Sequence, residues 1–74
     1  LQRPLGRTAA GLIMAAEGLQ GTPHDSTSNK MAKMCFELGI ELKRVEVIPD
    51  VVEDIMEAVQ RMVRIFYLTT VSHI

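Results

Sequence analysis

The stretch that decides the fold is residues 30–61, KMAKMCFELGIELKRVEVIPDVVEDIMEAVQR. The spacing of apolar residues in Lys30–Leu38 predicts a helix that stops at a glycine, and the β-branched content of Leu42–Ile48 predicts a strand near the rim of a sheet. Pro49-Asp50 then turns the chain into Val51–Met62, a second predicted helix. Helix, strand and helix with stop signals between them are typical of a layered α/β domain.

Each predicted helix carries an apolar stripe at helical spacing. The stripe of the first helix consists of Met31, Met34, Cys35 and Leu38. The stripe of the second helix consists of Val52, Ile55, Met56, Val59 and Val63, with Met62 at its margin. These stripes predict which face of each helix packs on the sheet, and Lys30, Lys33 and Glu37 are expected on the opposite, polar face of the first helix.

Polar residues and a glycine mark the ends of the two helices. Ser26–Asn29 offers several side-chain oxygens that can cap the first helix, and Gly39 suits the left-handed conformation after its last turn. Asp50 and Glu53 form a D-x-x-E version of the capping box for the second helix. The sequence therefore predicts both helix starts and one helix end.

The flanking segments supply two more strands. Thr8–Met14 is a continuous run of small and apolar residues, as expected of a strand covered on both faces, although Ala15–Glu17 could extend it as a helix. Gly18–Asp25 has two glycines and a proline and is predicted to be a loop, and Phe66–Val71 has high β-propensity. The predicted order is β-α-β-α-β, with a three-stranded parallel sheet and right-handed crossovers.

Composition narrows the functional classes. The chain has 74 residues, a net charge of −1 and a pI of about 6.1, so it forms at most one domain and has no basic excess for nucleic acid. No apolar run reaches the ~20 residues of a membrane span. A single cysteine, Cys35, cannot form an internal disulfide, which suits a reducing compartment and predicts a cytoplasmic protein.

Ligands of open parallel sheets bind beyond the carboxyl ends of the strands. Ala15–Asp25 is the one connection there long enough to hold a ligand, and Gly18, Gly21 and the helix start near Ser26–Asn29 could receive an anion on backbone N–H groups. A plain loop with a capped helix is the alternative, and the absence of G-x-G-x-x-G and of a phosphate-loop G-K-S/T favours it.

Other chemistry-bearing residues have simpler interpretations. His24 and Asp25 are an adjacent base and acid, which could transfer a proton or could form a capping or turn pair. His24, Asp25, Cys35 and His73 lack the spacing of a metal-ligand set, so no metal site is predicted. Because Cys35 lies on an apolar stripe, we expect it in the core.

The sequence of residues 31–50, MAKMCFELGIELKRVEVIPD, resembles the molybdopterin-binding domain family, in particular the domains of competence/damage-inducible proteins and the N-terminal domain of eukaryotic FAD synthases. In that family a strand ends in a G-D-E-I-L turn. A loop with G-x-x-x-D-x-N follows, then a helix with L-x-x-L-G, a strand V-x-V-x-x-D and a helix of the E-A-V-x-R-M type. This chain matches that order from Thr8 to about Met62. The resemblance implies a three-layer sandwich of which this chain is the first half.

The resemblance also points to site residues. Three positions match as remnants of a ligand loop and are expected to bind a cofactor: Glu17, Gly21 and Asp25. Ala15 and Ala16 replace the glycine and aspartate of the family's turn, and Thr27 stands where its asparagine is expected. After the third strand, residues 69–74 replace the family's glycine-rich T-x-G-G-x-G-P-T loop, which forms much of its phosphate site.

The resemblance implies a domain that binds a molybdopterin, FAD or another adenine nucleotide but lacks the catalytic loop. Two alternatives stay open: a non-enzymatic structural or interaction domain that keeps only the scaffold, and an FAD or nucleotide pyrophosphatase if the chain continues beyond Ile74. The small size and the apolar third strand predict a protein partner or a homo-oligomer, because an edge strand would otherwise be unpaired. No nucleic acid and no membrane are expected as partners.

Overall fold

The computed structural model describes residues 4–15 and 23–74. Its elements, in chain order, are β1 (Leu5–Ala15), α1 (Pro23–Glu37), β2 (Glu41–Pro49), α2 (Val52–Ile65) and β3 (Phe66–His73). The predicted α/β class and the β-α-β-α-β order are confirmed. Ala15 belongs to the first strand and not to a helix that extends it.

The three strands form one parallel sheet in the order β2-β1-β3. In its middle, Gly11 of β1 pairs with Val45 of β2 on one side and with Thr70 of β3 on the other. The expected contact between Phe66–Val71 and Thr8–Met14 is therefore confirmed, and β2 lies at the rim as predicted. Parallel strands need crossover connections, which α1 and α2 supply.

Alternate residues of β1 face different helices, because side chains alternate along a strand. One buried cluster joins β1, α2 and the start of β3 and consists of Ala10, Leu12, Ala58, Met62 and Phe66. Gly11 faces α1, since a Cβ built there would lie 2.6 Å from Sδ of Met31. The molecule thus has three layers, with one helix on each face of the sheet.

The first helix starts earlier than its caps predicted. α1 begins at Pro23 and not at Lys30, so Pro23–Asp25 is helical and the predicted loop Gly18–Asp25 is wrong over these three residues. Proline is well suited to the first helical position, because its φ is already helical and its missing N–H has no partner to lose there. Ser26–Asn29 lies within the helix rather than ahead of it.

Only half of the apolar stripe predicted for α1 is buried. Met31 and Cys35 lie in the core, as the prediction for Cys35 required, whereas Met34 and Leu38 are exposed. After the helix, Gly39 has a φ of 71°, which confirms the predicted left-handed residue.

The predicted inner face of α2 is only partly correct. Val59 packs against the buried cluster and Ile55 is half-buried, as predicted. Val52, Met56 and Val63 are exposed, and the buried residues of this helix are Ala58 and Met62. Side-chain hydrophobicity alone predicts that the valines are buried. In the structure, the small side chain of Ala58 lets the helix lie close to the sheet, and Met62 fills the space beside it.

The predicted capping box of α2 is also wrong. The N-cap residue is Val51, which has extended backbone angles and makes no capping hydrogen bond with its side chain. The carboxylate of Asp50 contacts His73 instead. Asp50 therefore contacts a residue of the other outer strand instead of the amides of the helix, and it links the end of β2 to β3.

Arg61 ties α2 to β2. Its Nη1 and Nη2 donate hydrogen bonds of 2.7 and 3.0 Å to the two carboxylate oxygens of Glu46, and its Nε donates to Glu57 at 2.9 Å. The hydrogen bond from Arg61 holds the pKa of Glu46 below its ordinary value, and the hydrogen bonds to Glu46 and Glu57 raise the pKa of Arg61. A bidentate pair of this kind fixes orientation as well as distance.

Candidate functional site

The carboxyl edge of the sheet is where all three strands end together. The amide of Asp50 donates to the carbonyl of Ala15 at 3.2 Å, and the amide of Ile74 donates to the carbonyl of Met14 at 3.0 Å. These two bonds hold the chain that leaves β2 and β3 against the end of β1. The edge predicted to bind ligands therefore has a defined backbone on both sides of the central strand.

A cavity of about 440 Å³ opens at this edge between α1 and β3. Thr27, Lys30, Met31 and Met34 of α1 form one wall. The other wall is the last part of the chain, residues 70–74. Thr70 and Ser72 pair with Gly11 and Ile13, whose side of β1 faces α1, so their hydroxyls lie on the cavity side of the sheet.

The lining combines an apolar part with a polar part. Met31 and Met34 offer polarizable thioethers that suit the face of a flat ring. Lys30 brings an ammonium group, and Thr70 and Ser72 bring hydroxyls that donate or accept hydrogen bonds. An anion with an attached aromatic ring fits this combination.

A second feature of the carboxyl edge is a histidine–carboxylate pair. Nε2 of His73 lies 2.6 Å from Oδ2 of Asp50, and both side chains are about half exposed. Met14, the pairing partner of His73, alternates with Gly11 and Ile13, so the register directs the His73 side chain to the α2 side of the sheet, while His73 also borders the cavity. The pair joins the two outer strands across the end of β1. Within the described part of the chain, no group of three or more His, Cys, Asp and Glu residues could hold a metal ion.

Of the three predicted cofactor-binding residues, the structure describes Asp25 alone. Glu17 and Gly21 lie outside the described residues. Asp25 is an exposed residue of the first turn of α1, at the same end of the helix as the cavity, but it is not one of the lining residues. Its role in binding stays a prediction. His24, the other half of the predicted acid–base pair, lies in α1 beside Asp25.

Sequence reasoning missed the cavity walls themselves. The sequence predicts Lys30 on the polar face of the first helix, Thr70 in the third strand and Ser72 after that strand. The signal that could have found them is the alternation of hydroxyl residues at the carboxyl end of β3, since alternate residues share one face. Thr27, which departs from the resembled family's asparagine, also lies in the wall.

The described helices include none that is long and apolar enough to cross a membrane. No protein-family model matches the chain, so the resemblance to the molybdopterin-binding family stays a prediction. No solved structure matches it either.

Two curated proteins are similar to the chain. A probable FAD synthase of Caenorhabditis elegans is 35% identical over 57 residues, which cover 77% of this chain and 11% of that protein. A probable FAD synthase of Caenorhabditis briggsae is 33% identical over 54 residues, which cover 73% of this chain and 10% of that protein. The chain therefore matches about a tenth of the length of these relatives.

Proposed function

We propose that the chain binds a phosphate-bearing nucleotide of the FAD or adenine type in the cavity between α1 and β3. The observation that carries the proposal is the lining, in which the ammonium group of Lys30 and the hydroxyls of Thr70 and Ser72 lie beside two methionines. The similarity to proteins named probable FAD synthase supports a nucleotide ligand. We propose binding alone, without catalysis.

The charged and the hydroxyl groups of the lining would contact a phosphate in different ways. Lys30 is exposed and its flexible side chain can meet a phosphate as a point charge, while the hydroxyls supply directed hydrogen bonds. Met31 is buried and Met34 is 40% exposed, so a ring between them would lose contact with water on one face.

A molybdopterin shares this chemistry, because it also joins a flat ring system to a phosphate. It is therefore the second ligand that the test includes. A ligand that lacks phosphate would keep only the ring contact, and we expect its affinity to be at least about tenfold lower, corresponding to one lost charged hydrogen bond.

Titration calorimetry with FAD, ADP, riboflavin and a phosphorylated pterin tests the proposal. We expect heat of binding with FAD or ADP at millimolar ligand and about tenfold weaker binding or none with riboflavin. Lys30→Ala should weaken binding of the phosphate ligands about tenfold. Lys33→Ala is the matched control, because Lys33 is an exposed lysine of the same helix that does not line the cavity.

The absence of heat with every ligand at millimolar concentration would contradict the proposal, as would equal losses in the two lysine variants. The variant Asp25→Ala distinguishes a site that includes Asp25 from a site formed by the cavity walls alone. The sequence predicts that this variant loses binding. Binding that survives Asp25→Ala but not Lys30→Ala would assign the site to the cavity walls alone.

A further inference from the structure

A second cavity, of about 320 Å³, lies at the opposite edge of the sheet from the first. The residues that line it come from the starts of β1 and β3 and from the connection between α1 and β2: Arg7, Leu38, Ile40 and Tyr67. Parallel strands all begin at the same edge of a sheet, so this is the amino edge. None of these four residues lines the cavity proposed to bind a nucleotide.

An irregularity near the start of β1 places a charged side chain at this cavity. Between Leu5 and Ala9 the strand advances four residues, while its pairing partners on β3 advance two, from 66 to 68. The hydroxyl of Thr8 donates a hydrogen bond of 2.9 Å to the carbonyl of Leu5 and so links the two ends of the irregular segment. Extra residues in one strand re-aim side chains, and here the irregular segment includes Arg7.

The end of α1 fixes the apolar wall of the cavity. The amide of Ile40 donates to the carbonyl of Cys35 at 2.8 Å. The amide of Gly39, whose φ is 71°, donates to the carbonyl of Phe36 at 3.0 Å. These are the two hydrogen bonds of a Schellman motif. They hold Leu38 and Ile40, the residues on either side of the glycine, and they give partners to two carbonyls at the negative end of the helix.

The charge of Arg7 is not neutralised by a carboxylate of the described chain. Arg7 is exposed, and within residues 4–15 and 23–74 its guanidinium makes no ion pair and no hydrogen bond. Glu41, which follows Ile40 in the chain, contacts Lys43 at 3.4 Å instead. Of the four residues that line the cavity, Arg7 alone is charged. A single guanidinium beside an apolar wall suits an anion with one negative charge and an apolar body.

We propose that the cavity at the amino edge binds a small carboxylic acid with an apolar body. The planar guanidinium of Arg7 matches a carboxylate with two parallel hydrogen bonds, and the phenol of Tyr67 donates a further one. Leu38 and Tyr67 are 60% and 64% exposed, so an apolar body between them removes apolar surface from water. The volume lies at the lower end of the about 300–1,000 Å³ of ligand pockets, so the acid is small. Binding of the acid does not depend on the proposed nucleotide site.

NMR titration of the isotope-labelled chain with phenylacetate tests the proposal and locates the ligand. We expect saturable shifts of the amides of the four lining residues, with a dissociation constant on the order of 1 mM, as for a ligand of about ten non-hydrogen atoms. Phenylacetamide keeps the ring without the charge, and acetate keeps the charge without the ring. Each should bind at least about tenfold more weakly. Shifts confined to the other cavity, or equal affinities for phenylacetate and phenylacetamide, would overturn the proposal.

Two variants test the roles of the lining residues. Arg7→Gln removes the charge and should weaken phenylacetate binding at least about tenfold, and Tyr67→Ala, which removes the ring, should weaken it as well. Both residues are exposed, so each variant should keep the NMR spectrum of the folded chain. Arg64→Gln is the matched control, because Arg64 is an exposed arginine near the end of α2 that does not line the cavity. Unchanged binding in Arg7→Gln, or equal losses in the two arginine variants, would overturn the proposal.

Discussion

The two faces of the sheet are covered to different extents. α2 packs on all three strands, whereas α1 packs mainly on β1 and β2. The strand order explains the difference. α2 connects the two outer strands and has to cross the central one, while α1 connects neighbours. The α1 side of β3 is therefore left with a cavity at its carboxyl end and a smaller one of about 320 Å³ lined by Arg7, Leu38, Ile40 and Tyr67.

The two faces also reach close packing by different means. On the α2 side, Leu12 and Met62 fill the space between helix and sheet. On the α1 side, Gly11 lets Met31 approach the strand so closely that a methyl group would fit only if the Met31 side chain moved. Close packing depends on a large side chain on the α2 side and on the absence of a side chain on the α1 side. Single substitutions can test each of these two contributions to stability.

Removing the large side chain on the α2 side is expected to have the largest effect. Met62 is fully buried, so Met62→Ala should lower the free energy of unfolding by about 2–5 kcal/mol through lost burial and a cavity. A domain of this size has only a few kcal/mol in total, so the variant should be largely unfolded. Urea denaturation followed by circular dichroism measures the change. Met56→Ala, at an exposed position of the same helix, should change stability by less than about 0.5 kcal/mol, and equal effects would refute the assignment of the inner face.

Adding a methyl group on the α1 side is expected to have a smaller effect. Gly11→Ala should cost about 1–3 kcal/mol, because Met31 has to move out of its place. The cost should fall when Met31→Ala is present as well, and a double-mutant cycle measures this coupling. Gly6→Ala is the control, since no atom lies within 4 Å of a Cβ at that position. A stability unchanged by Gly11→Ala would mean that α1 does not depend on the close approach.

The smallest expected effect comes from the ion pair that holds α2 on β2. Arg61 lowers the pKa of Glu46 in the folded state, so ionised Glu46 stabilises the fold at pH 7. This contribution is lost as the pH falls below the ordinary glutamate value of about 4.3 and through the lower pKa of the folded state. Glu46→Gln should therefore be slightly less stable than the unmodified chain at pH 7, and the difference should shrink with falling pH.

Thermal denaturation between neutral and acidic pH measures that difference. Glu37→Gln, which changes an exposed glutamate at the end of α1, serves as the control and should show a smaller and flatter difference. A Glu46→Gln difference that grows as the pH falls would show that the pair does not stabilise the folded state.

The order of elements could be predicted from local signals. The run of small and apolar residues in β1, the β-branched end of β2 and Gly39 after α1 each act within a few residues of the chain, and all three predictions are confirmed. The wrong predictions concern residues that could contact either a neighbour in the sequence or a residue far away in the chain. Asp50 had the spacing of a helix cap, yet it contacts His73, 23 residues away in the chain.

A cavity opens at the carboxyl edge of the sheet, which is the edge where the sequence predicts a ligand. The residues that line this cavity could not be predicted. Lys30 has the same sequence signal as Lys33, a lysine on the polar side of a helix, and only Lys30 lies against the chain that ends β3. No local pattern distinguishes the two lysines.

The sequence by itself determined the alternation of strands and helices, the parallel sheet and the helix end at Gly39, because periodicity, propensity and backbone freedom are local properties. Tertiary structure decided which half of each apolar stripe is buried, as Met62 and Met56 show, and where a cavity remains. The physical reason is that burial depends on the strands a helix lies across, and that depends on the order of strands in the sheet and not on the helix's own residues.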